Sequence, residues 1–382
     1  MTDRMAKRIA VVGGGMAGVS AAYALTGHPS RPSVTLLEAE AQLAHHTTGR
    51  SAAQLILNYG AMPVRPLTAA SLPFLHNPPP DLCDEPLLTE QGVLTLAHAD
   101  QDEIMDERLA SGLAINPNIS ELSVAEAAAL FPPLRTETIT RVIYEQGSFN
   151  IDVSLLHQAF VRGLRGLGGE IAVLTRMENA VRPDGGNGWT INTTDGPRHA
   201  DVVVNAAGAW GDVVAAGAGV QPVGLIPKRR TAFMVASLWP DSASWPMAAE
   251  AELAWYLKPD GPQFLCSPGD ETPSEPVDAK PEEADVALAI DRINADTKLD
   301  IRSVRSSWAG LRTFTEDGSM VIGPDPEIPS FVWSVGQGGT GIQTAPAAGR
   351  LVADLCLDGA PSAYFDGVGL DLTGLSPDRL RS

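Results

Sequence analysis

Short apolar runs that end in glycines recur along this chain of 382 residues, and small or apolar residues follow them. The run RIAVV at 8–12 predicts a short buried strand, and AGVSAAYAL at 17–25 predicts a helix. DVVVNAAGAW at 201–210 predicts a second buried strand, and FVWSVGQGGTGIQTAPAAGRLVADL at 331–355 a third strand, glycine loop and helix. This alternation indicates an α/β fold.

Other segments add a helix, a strand and a loop. Residues 152–170 place leucines and valines near helical spacing between a capping Asp152 and a pair of glycines, which predicts a helix. IAVLT at 171–175 then predicts a strand. Residues 267–286 are rich in Pro, Asp and Glu and predict an exposed loop that runs into a helix.

The glycines after the first strand form the pattern G-x-G-x-x-G at 13–18, and the next predicted strand ends at Glu38, 20 residues after Gly18. In this context Gly13 permits a tight turn, Gly15 lets a pyrophosphate approach the backbone, and Gly18 packs helix on strand. The helix N-terminus then faces the phosphates and Glu38 binds ribose hydroxyls. The pattern predicts a dinucleotide site; a glycine-rich turn without a nucleotide is the alternative.

The pattern alone does not choose between FAD and a nicotinamide cofactor. The glycine loop near 336 returns to a helix start some 320 residues after the first one, which indicates a long cofactor. The N-terminus of this last helix can face negative charge, such as that on the N1–C2=O edge of a reduced flavin. An ordinary strand–helix turn remains the alternative.

Composition excludes some classes of protein. The chain has 46 acidic and 27 basic residues, a net charge of −19, which argues against nucleic-acid binding. Its three cysteines are far apart and form neither a metal spacing nor a disulfide framework, as expected of a cytoplasmic protein. We expect no signal peptide, because the N-terminal apolar run is short and soon reaches glycines, and no membrane span, because no run of 18 apolar residues occurs.

Several segments in the same order resemble the D-amino acid oxidase/glycine oxidase family of FAD enzymes, and D-arginine dehydrogenases most of all. They lie along nearly the whole chain and include TTGRSAA (47–53), NAAGAW (205–210), PKRR (227–230), YLKPD (256–260), WAGLR (308–312) and QGG-GIQT (337–344, with Thr340 at the variable place). The resemblance implies a Rossmann-type FAD-binding domain interleaved with a substrate domain built on a mostly antiparallel sheet. The FAD-binding domain would comprise 1–80, 146–222 and 313–382, and the substrate domain 81–145 and 223–312.

The resemblance also implies which residues hold FAD. The loop 41–54 would pass along the pyrophosphate and the isoalloxazine, a helix would begin at Arg50 and Ser51, and the backbone near Met177 would contact the adenine. The implied cofactor-binding residues are Gly13, Gly15, Met16, Ala17, Gly18, Glu38, Thr47, Thr48, Arg50, Ser51, Ala52, Met177, Gly208, Gly338, Gly339, Thr340, Gly341 and Ile342.

Two histidines in the same loop, His45 and His46, invite a metal or a covalent-flavin interpretation. In related enzymes that bond the flavin covalently, the histidine stands where this chain has Arg50, a side chain unsuited to that bond. We therefore expect noncovalent FAD, no metal, and two loop histidines, since adjacent histidines alone do not make a metal site.

For the substrate, the resemblance assigns Arg230, Arg312 and Tyr256 to the carboxylate. A guanidinium can hold a carboxylate through two parallel hydrogen bonds. Carbonyl oxygens of Gly310 and Gly339 would accept hydrogen bonds from the amine.

Tyr59 would act with water near the substrate amine. Each arginine has an internal salt bridge as its alternative, Arg312 with the nearby Glu316 or Asp317, and Tyr59 has plain packing. Lys228 and Arg229 are expected outside the pocket.

Substrate preference is where the chain departs from D-arginine dehydrogenases. Val93 stands in place of the glutamate that binds the distal guanidinium, and Gln54 in place of an active-site histidine, while Met247 keeps an apolar wall. Loss of a charge-assisted hydrogen bond worth about 1.5–3 kcal/mol predicts weak activity on D-Arg and D-Lys. Glu90 or Glu250 could restore recognition of a cation from another direction.

These observations predict FAD-dependent oxidation of a D-amino acid with an apolar or neutral side chain. Hydride transfer from Cα to flavin N5 would give an imino acid that hydrolyses to a 2-oxo acid and ammonia. The alternatives are an oxidase of N-alkyl amino acids such as sarcosine and, less favoured, a flavoprotein subunit without a substrate of its own. Either oxygen or a quinone could reoxidise the flavin.

Overall fold

The computed structural model describes residues 6–183 and 188–381. Residues 1–5, part of the N-terminal segment considered above for a signal peptide, lie outside the described residues. No helix in the described ranges is long and apolar enough to cross a membrane. The helices are α1 (Met16–Thr26), α2 (Arg65–His76), α3 (Asp102–Leu113), α4 (Val124–Leu130), α5 (Val153–Gly166), α6 (Gly211–Gly217), α7 (Glu283–Asp296) and α8 (Ala345–Leu357).

The strands form two large and two small sheets. They are β1 (Arg8–Val12), β2 (Ser33–Leu37), β3 (Gln54–Leu55), β4 (Leu88–Glu90), β5 (Val93–Ala97), β6 (Ile119–Leu122), β7 (Arg141–Glu145), β8 (Phe149–Ile151), β9 (Glu170–Ala172), β10 (Met177–Val181), β11 (Trp189–Thr193), β12 (Gly196–Ala200), β13 (Val202–Asn205), β14 (Ile226–Ala236), β15 (Met247–Glu250), β16 (Tyr256–Asp260), β17 (Gln263–Ser267), β18 (Ser306–Phe314), β19 (Val321–Pro324) and β20 (Phe331–Val335).

The first large sheet has six strands in the order β19-β20-β13-β1-β2-β9. All its neighbours pair in parallel except β19 and β20. Its strands are apolar and almost wholly buried, because α1, α5 and α8 pack on it. The three strand–glycine units predicted from the sequence are β1–α1, β13–α6 and β20–α8, so this part of the fold is confirmed.

The second large sheet has eight strands in the order β18-β14-β17-β16-β15-β5-β7-β6. Its pairs are antiparallel except β5 with β15, whose parallel pairing joins two distant parts of the chain. One face packs against α4 and α7 around Trp245, Trp255 and Phe264. The opposite face carries Val93, Met247 and other apolar residues and points towards the six-stranded sheet's carboxyl ends.

The mixed α/β architecture with two sheets is the predicted fold class. The strands of the six-stranded sheet lie in 1–80, 146–222 and 313–382, and those of the eight-stranded sheet in 81–145 and 223–314. The domain boundaries themselves stay a prediction.

Two local predictions are wrong. No helix begins at Arg50 and Ser51: Thr48–Arg50 form one turn of 3-10 helix, and Gln54 and Leu55 then pair with Asn150 and Phe149. Backbone pairing with β8 replaces the helix there. The strand predicted at 171–175 is shorter and ends at Ala172, with Leu174 at φ 55°. The acidic loop after β17 does run into α7.

Candidate active site

A cavity of about 760 Å³ lies where the carboxyl ends of β1, β2, β13 and β20 meet the inner face of the eight-stranded sheet. Such a volume is typical of a ligand site, and the carboxyl ends of parallel strands are where ligands bind in open α/β sheets. Every sequence-predicted site residue lines this cavity except Gly18 and Thr340.

The glycines at the start of α1 have the geometry of a nucleotide cradle. Gly13 has φ 110°, and a Cβ there would lie 2.4 Å from the carbonyl oxygen of Ala206. A Cβ on Gly18 would lie 1.8 Å from the Gly13 carbonyl oxygen, so Gly18 packs the helix on the strand rather than lining the cavity. Gly15, the N-cap residue of α1, has no side chain to cap the helix, and the helix N-terminus opens onto the cavity, which suits a pyrophosphate.

Glu38 follows β2 and is fixed at the cavity wall. Its carboxylate accepts hydrogen bonds from the backbone N–H groups of Gly14, at 2.7 Å, and Glu40, at 2.8 Å. Thr48 stands opposite, and its hydroxyl accepts a hydrogen bond from Met16 N–H at 3.0 Å. The Glu38 carboxylate and the Thr48 hydroxyl would suit the ribose and phosphate groups of a dinucleotide.

The other glycine loop, after β20, approaches the substrate end of the cavity. A Cβ on Gly339 would lie 2.4 Å from the Tyr59 hydroxyl oxygen, so only glycine leaves room for that phenol. Thr340 is buried, and its hydroxyl donates to the carbonyl oxygen of Gln337. Thr340 therefore holds the loop in shape from behind.

The two loop histidines lie beside Glu40. His46 Nε2 is 3.0 Å from a Glu40 carboxylate oxygen, its ring packs 4.6 Å from that of Trp210, and His45 lies edge-on to it. Ligand atoms of Glu40, His45 and His46 lie within 4.8 Å of one another, a grouping that could hold a metal ion. Adjacency in sequence gave no such indication, because Glu40 supplies the third group. The expectation of no metal stays a prediction.

Arg312 lies on β18 and projects into the cavity beside Tyr59 and Tyr256. Surrounding protein desolvates its guanidinium, and Nη1 donates to the Tyr59 hydroxyl at 3.4 Å. Among the described residues, no carboxylate oxygen lies within 4 Å of it. Asp317, the acid considered as its partner, instead pairs with Arg379 at 2.7 Å. Arg312 is therefore a guanidinium inside the cavity that forms no ion pair within 4 Å among the described residues, although the charges of Glu271 and Asp270 act on it from further away.

Arg230 lines the same cavity from β14 but already has an acidic partner. Its Nη2 lies 2.7 Å from Glu271, and its Nε donates to the Asp270 carbonyl oxygen at 2.9 Å. Its buried Nη1 makes no hydrogen bond with any described residue. The salt bridge considered as an alternative from sequence is thus present, beside the cavity rather than remote from it.

The neighbours of Arg230 lie outside the cavity. Lys228 pairs with Glu271 at 3.0 Å, and its ammonium lies 5.0 Å from the centre of the Phe314 ring. Arg229 points to the other face of the strand, where Asp270, Glu282 and Asp285 surround it. The two-residue alternation of a strand therefore separates Arg229 from the other two cations, while Lys228 and Arg230 both pair with Glu271 and only Arg230 lines the cavity.

Three of the predicted pocket residues, Val93, Met247 and Tyr256, lie on one face of the eight-stranded sheet, and Gln54 lies on β3 of a small sheet. Met247 pairs with Val93 in register and Tyr256 is buried nearby. Gln54 donates its amide N–H to the Gln91 carbonyl oxygen at 2.7 Å, and its buried amide oxygen has no partner among the described residues. Glu90 and Glu250 do not line the cavity; Glu250 instead accepts from the Glu252 and Ala254 backbone. The expectation that either acid reaches the pocket is wrong.

Sequence reasoning missed five charged residues that line the cavity: Glu40, Arg65, Arg176, Arg108 on α3 and Glu145 at the end of β7. Burial raises the pKa of the Glu145 carboxyl, while Asn116 and Arg108 act in the opposite direction. Burial likewise lowers the pKa of Arg108. The one available signal was the acidic end of the apolar strand RVIYE, which gives no hint of a partner on α3.

A dinucleotide cradle joined to an apolar pocket is the arrangement expected of a nucleotide-dependent oxidoreductase. The model of the FAD dependent oxidoreductase family, DAO, matches residues 8–355. The chain belongs to this family, and its cofactor is FAD.

Three relatives illustrate the likeness. FAD-dependent oxidoreductase domain-containing protein 1 of Bos taurus is 26% identical over 92% of this chain and 81% of its own length. Glycine oxidase of Geobacillus kaustophilus is 26% identical over 70% of each chain, and its crystal structure aligns with a TM-score of 0.83 at 22% identity, covering 97% of this chain and 98% of its own. Mitochondrial dimethylglycine dehydrogenase of Rattus norvegicus is 25% identical over 94% of this chain and 44% of its own length.

Proposed function

We propose that the protein oxidises the Cα–N bond or an N-alkyl C–N bond of a small amino acid, with FAD as the acceptor of the hydride. The observation that carries the proposal is Arg312, a guanidinium with no carboxylate within 4 Å among the described residues, in a cavity that also holds the flavin cradle. Buried charges in proteins are ordinarily paired. A substrate carboxylate supplies the missing partner.

The relatives favour one substrate class over another. Glycine oxidase and dimethylglycine dehydrogenase are named for amino acids whose α-carbon carries no side chain, and dimethylglycine is N-alkylated. We therefore place glycine and N-alkyl amino acids first. A D-amino acid with a neutral side chain is the second candidate, because Val93, Met247 and Ala249 make an apolar wall beside the anchor.

The chain's own residues would divide the work as follows. The glycines of 13–18 and the 337–342 loop would hold FAD, which would supply the two-electron acceptor. Arg50 is bound to Asp278 at 2.6 Å and to the Ala309 carbonyl oxygen, so its side chain holds the loop in place, and the flavin would bind there without a covalent bond. Buried apolar residues exclude water, which would otherwise compete for the anchored carboxylate.

Arg312 and Tyr256 would orient the carboxylate, and the Gly310 and Gly339 carbonyl groups would face the amine. Oxidation needs a neutral amine, so a proton must leave the ammonium group before or during loss of the hydride. Tyr59 would act with water near the amine, because its Oη accepts a hydrogen bond at 3.4 Å from Arg312 Nη1, beside the proposed carboxylate anchor.

Anaerobic bleaching of the flavin absorbance tests this function. The substrates are glycine, N-methylglycine, N,N-dimethylglycine and paired D- and L-amino acids. Ammonia identifies oxidation of a primary amine, whereas a shorter amine and an aldehyde identify oxidation of an N-alkyl group. If none of these compounds bleaches the flavin, the protein is a flavoprotein without an amino acid substrate and the proposal is wrong.

A further inference from the structure

One acidic side chain, Glu145, interrupts the apolar wall of the cavity. Met247, Val93, Glu145 and Ile119 are register partners on the adjacent strands β15, β5, β7 and β6, so they share one face of the sheet. All four line the cavity. Glu145 therefore stands directly beside Val93, with only 7% of its surface exposed. The wall turns from apolar to acidic within one strand spacing.

Arg108 reaches the same end of the cavity from α3. Its Nη2 donates to the Ala251 carbonyl oxygen at 2.7 Å, which fixes the guanidinium. Tyr59 lies close enough to act on the charges of both Arg108 and Arg312. A ligand held at Arg312 can therefore extend past Tyr59 towards Arg108.

The two charged groups do not neutralise each other by contact. Each acts on the other's ionisation, yet they form no ion pair within 4 Å in the part of the chain that the structure describes. Glu145 accepts a single long hydrogen bond there, from the Asn116 amide at 3.3 Å. Donors on Arg108 and an acceptor on Glu145 thus remain available to a ligand.

The chemistry of this end selects among ligands. An apolar substrate arm would remove water from both charged groups and would offer no hydrogen bonds in place of those lost to water. A carboxylate arm would be attracted by Arg108 but repelled by Glu145. A cationic arm would be attracted by Glu145 but repelled by Arg108. A carboxamide has an oxygen that accepts from Arg108 and an N–H that donates to Glu145.

We propose that Arg108 and Glu145 form a specificity subsite for a substrate arm that ends in a carboxamide, carried on Cα or on nitrogen. This proposal rests on the proposed function only for the anchoring of the substrate carboxylate at Arg312. It identifies the substrate as a polar, uncharged amino acid derivative rather than a simple apolar one.

Binding of non-oxidisable carboxylates to the FAD-bound protein tests the subsite apart from turnover. Succinamate and its apolar isostere 4-methylpentanoate are titrated against the visible flavin spectrum, with the Tm shift as a second readout. We expect succinamate to bind at least about tenfold more tightly, as for one hydrogen bond to a charged group. Equal dissociation constants, or tighter binding of succinate than of succinamate, would overturn the proposal.

Variants assign the effect to the two residues. Arg108→Met and Glu145→Leu are each expected to lower the succinamate preference to within about threefold, and Arg108→Lys and Glu145→Gln to restore part of it. Arg302→Met is the matched control, because that guanidinium is 81% exposed, pairs with Asp300 and does not line the cavity. A variant that weakens both ligands equally would show a general structural role and contradict the proposal.

Turnover gives the corresponding kinetic test. The pairs are D-Asn with D-Leu, and N-(carbamoylmethyl)glycine with N-isobutylglycine. We expect kcat/KM to favour the carboxamide by at least about tenfold in one pair. Failure of every amino acid to reduce the flavin would contradict the proposed function, whereas flavin reduction without a carboxamide preference in either assay would contradict only the subsite.

Discussion

Replacement of Arg312 by methionine separates binding from stability. Methionine keeps much of the length of the side chain and removes the charge. Because Arg312 has no acidic partner within 4 Å in the described ranges, no ion pair is broken in the substrate-free protein. Burial opposes the charge on Arg312, but Tyr59, Tyr256, Glu271 and Asp270 favour it and hold its pKa above the ordinary value, so its removal does not relieve the folded protein of an unfavourable charge. We expect the free energy of unfolding of the FAD-bound protein to fall by no more than about 1 kcal/mol.

The same change should weaken substrate binding strongly. A charge-assisted hydrogen bond to the carboxylate is worth about 2 kcal/mol, which corresponds to a factor of about 30 in KM or in the dissociation constant. Arg312→Lys should recover part of this, since an ammonium keeps the charge but loses the two-pronged geometry. Anaerobic titration of the flavin and urea denaturation measure the two effects.

Arg379→Met is the matched control. Arg379 is also largely enclosed, with 12% of its side chain exposed, but it is bound to Asp317 at 2.7 Å and to the Ser319 carbonyl oxygen at 2.7 Å. Its loss should lower the free energy of unfolding by about 1–3 kcal/mol and leave substrate affinity alone. If Arg312→Met instead keeps its affinity within threefold and unfolds as readily as Arg379→Met, Arg312 is a structural residue and the anchor is wrong.

Three further predictions concern the cradle, the salt bridge and a buried lysine. Gly13→Ala should lose FAD, because its Cβ would meet Ala206 at 2.4 Å at a φ of 110°; the flavin-to-protein ratio measures this, and a fully loaded variant would contradict it. Glu271→Gln should free Arg230 and lower the KM of a carboxylate substrate by a few-fold, whereas a raised KM would show that Glu271 positions Arg230. Burial lowers the pKa of Lys258 to about 8, so the unfolded chain binds the Lys258 proton more tightly than the folded protein does. The free energy of unfolding, relative to that of Lys258→Met, should therefore rise by on the order of 3 kcal/mol from pH 8 to 10.5 in urea titrations. A difference between the two proteins that does not change with pH would contradict this.

The sequence predicted the fold correctly where an element is determined by its own residues and their near neighbours. The G-x-G-x-x-G turn specifies β1 and α1, because its glycines allow close backbone contacts that a Cβ would block. Gly18 against the Gly13 carbonyl oxygen is one such contact. The helix expected at Arg50 fails for the opposite reason. Pairing of Gln54 with Asn150, nearly 100 residues away, overrides the local preference.

The candidate site shows the same division. The family resemblance placed Arg312, Tyr256 and Tyr59 around one cavity, and the structure brings them together. The sequence could not predict that Arg108 and Glu145 both line the cavity. Their proximity depends on the strand order β15-β5-β7-β6 and on the position of α3 at that edge of the sheet. No period or spacing in the sequence encodes that order. Glu90 and Glu250 were nearer to the pocket segments in sequence and yet lie outside the cavity.

Charge balance explains why two arginines at the anchor differ. Two free guanidiniums facing one carboxylate would leave a net positive charge in a poorly solvated cavity, which is unfavourable. Glu271 pairs with Arg230, so under the proposed function a single substrate carboxylate at Arg312 would complete the balance. Arg230 would then orient the ligand as a member of a neutral pair, and Arg312 would provide the charge that selects an anion.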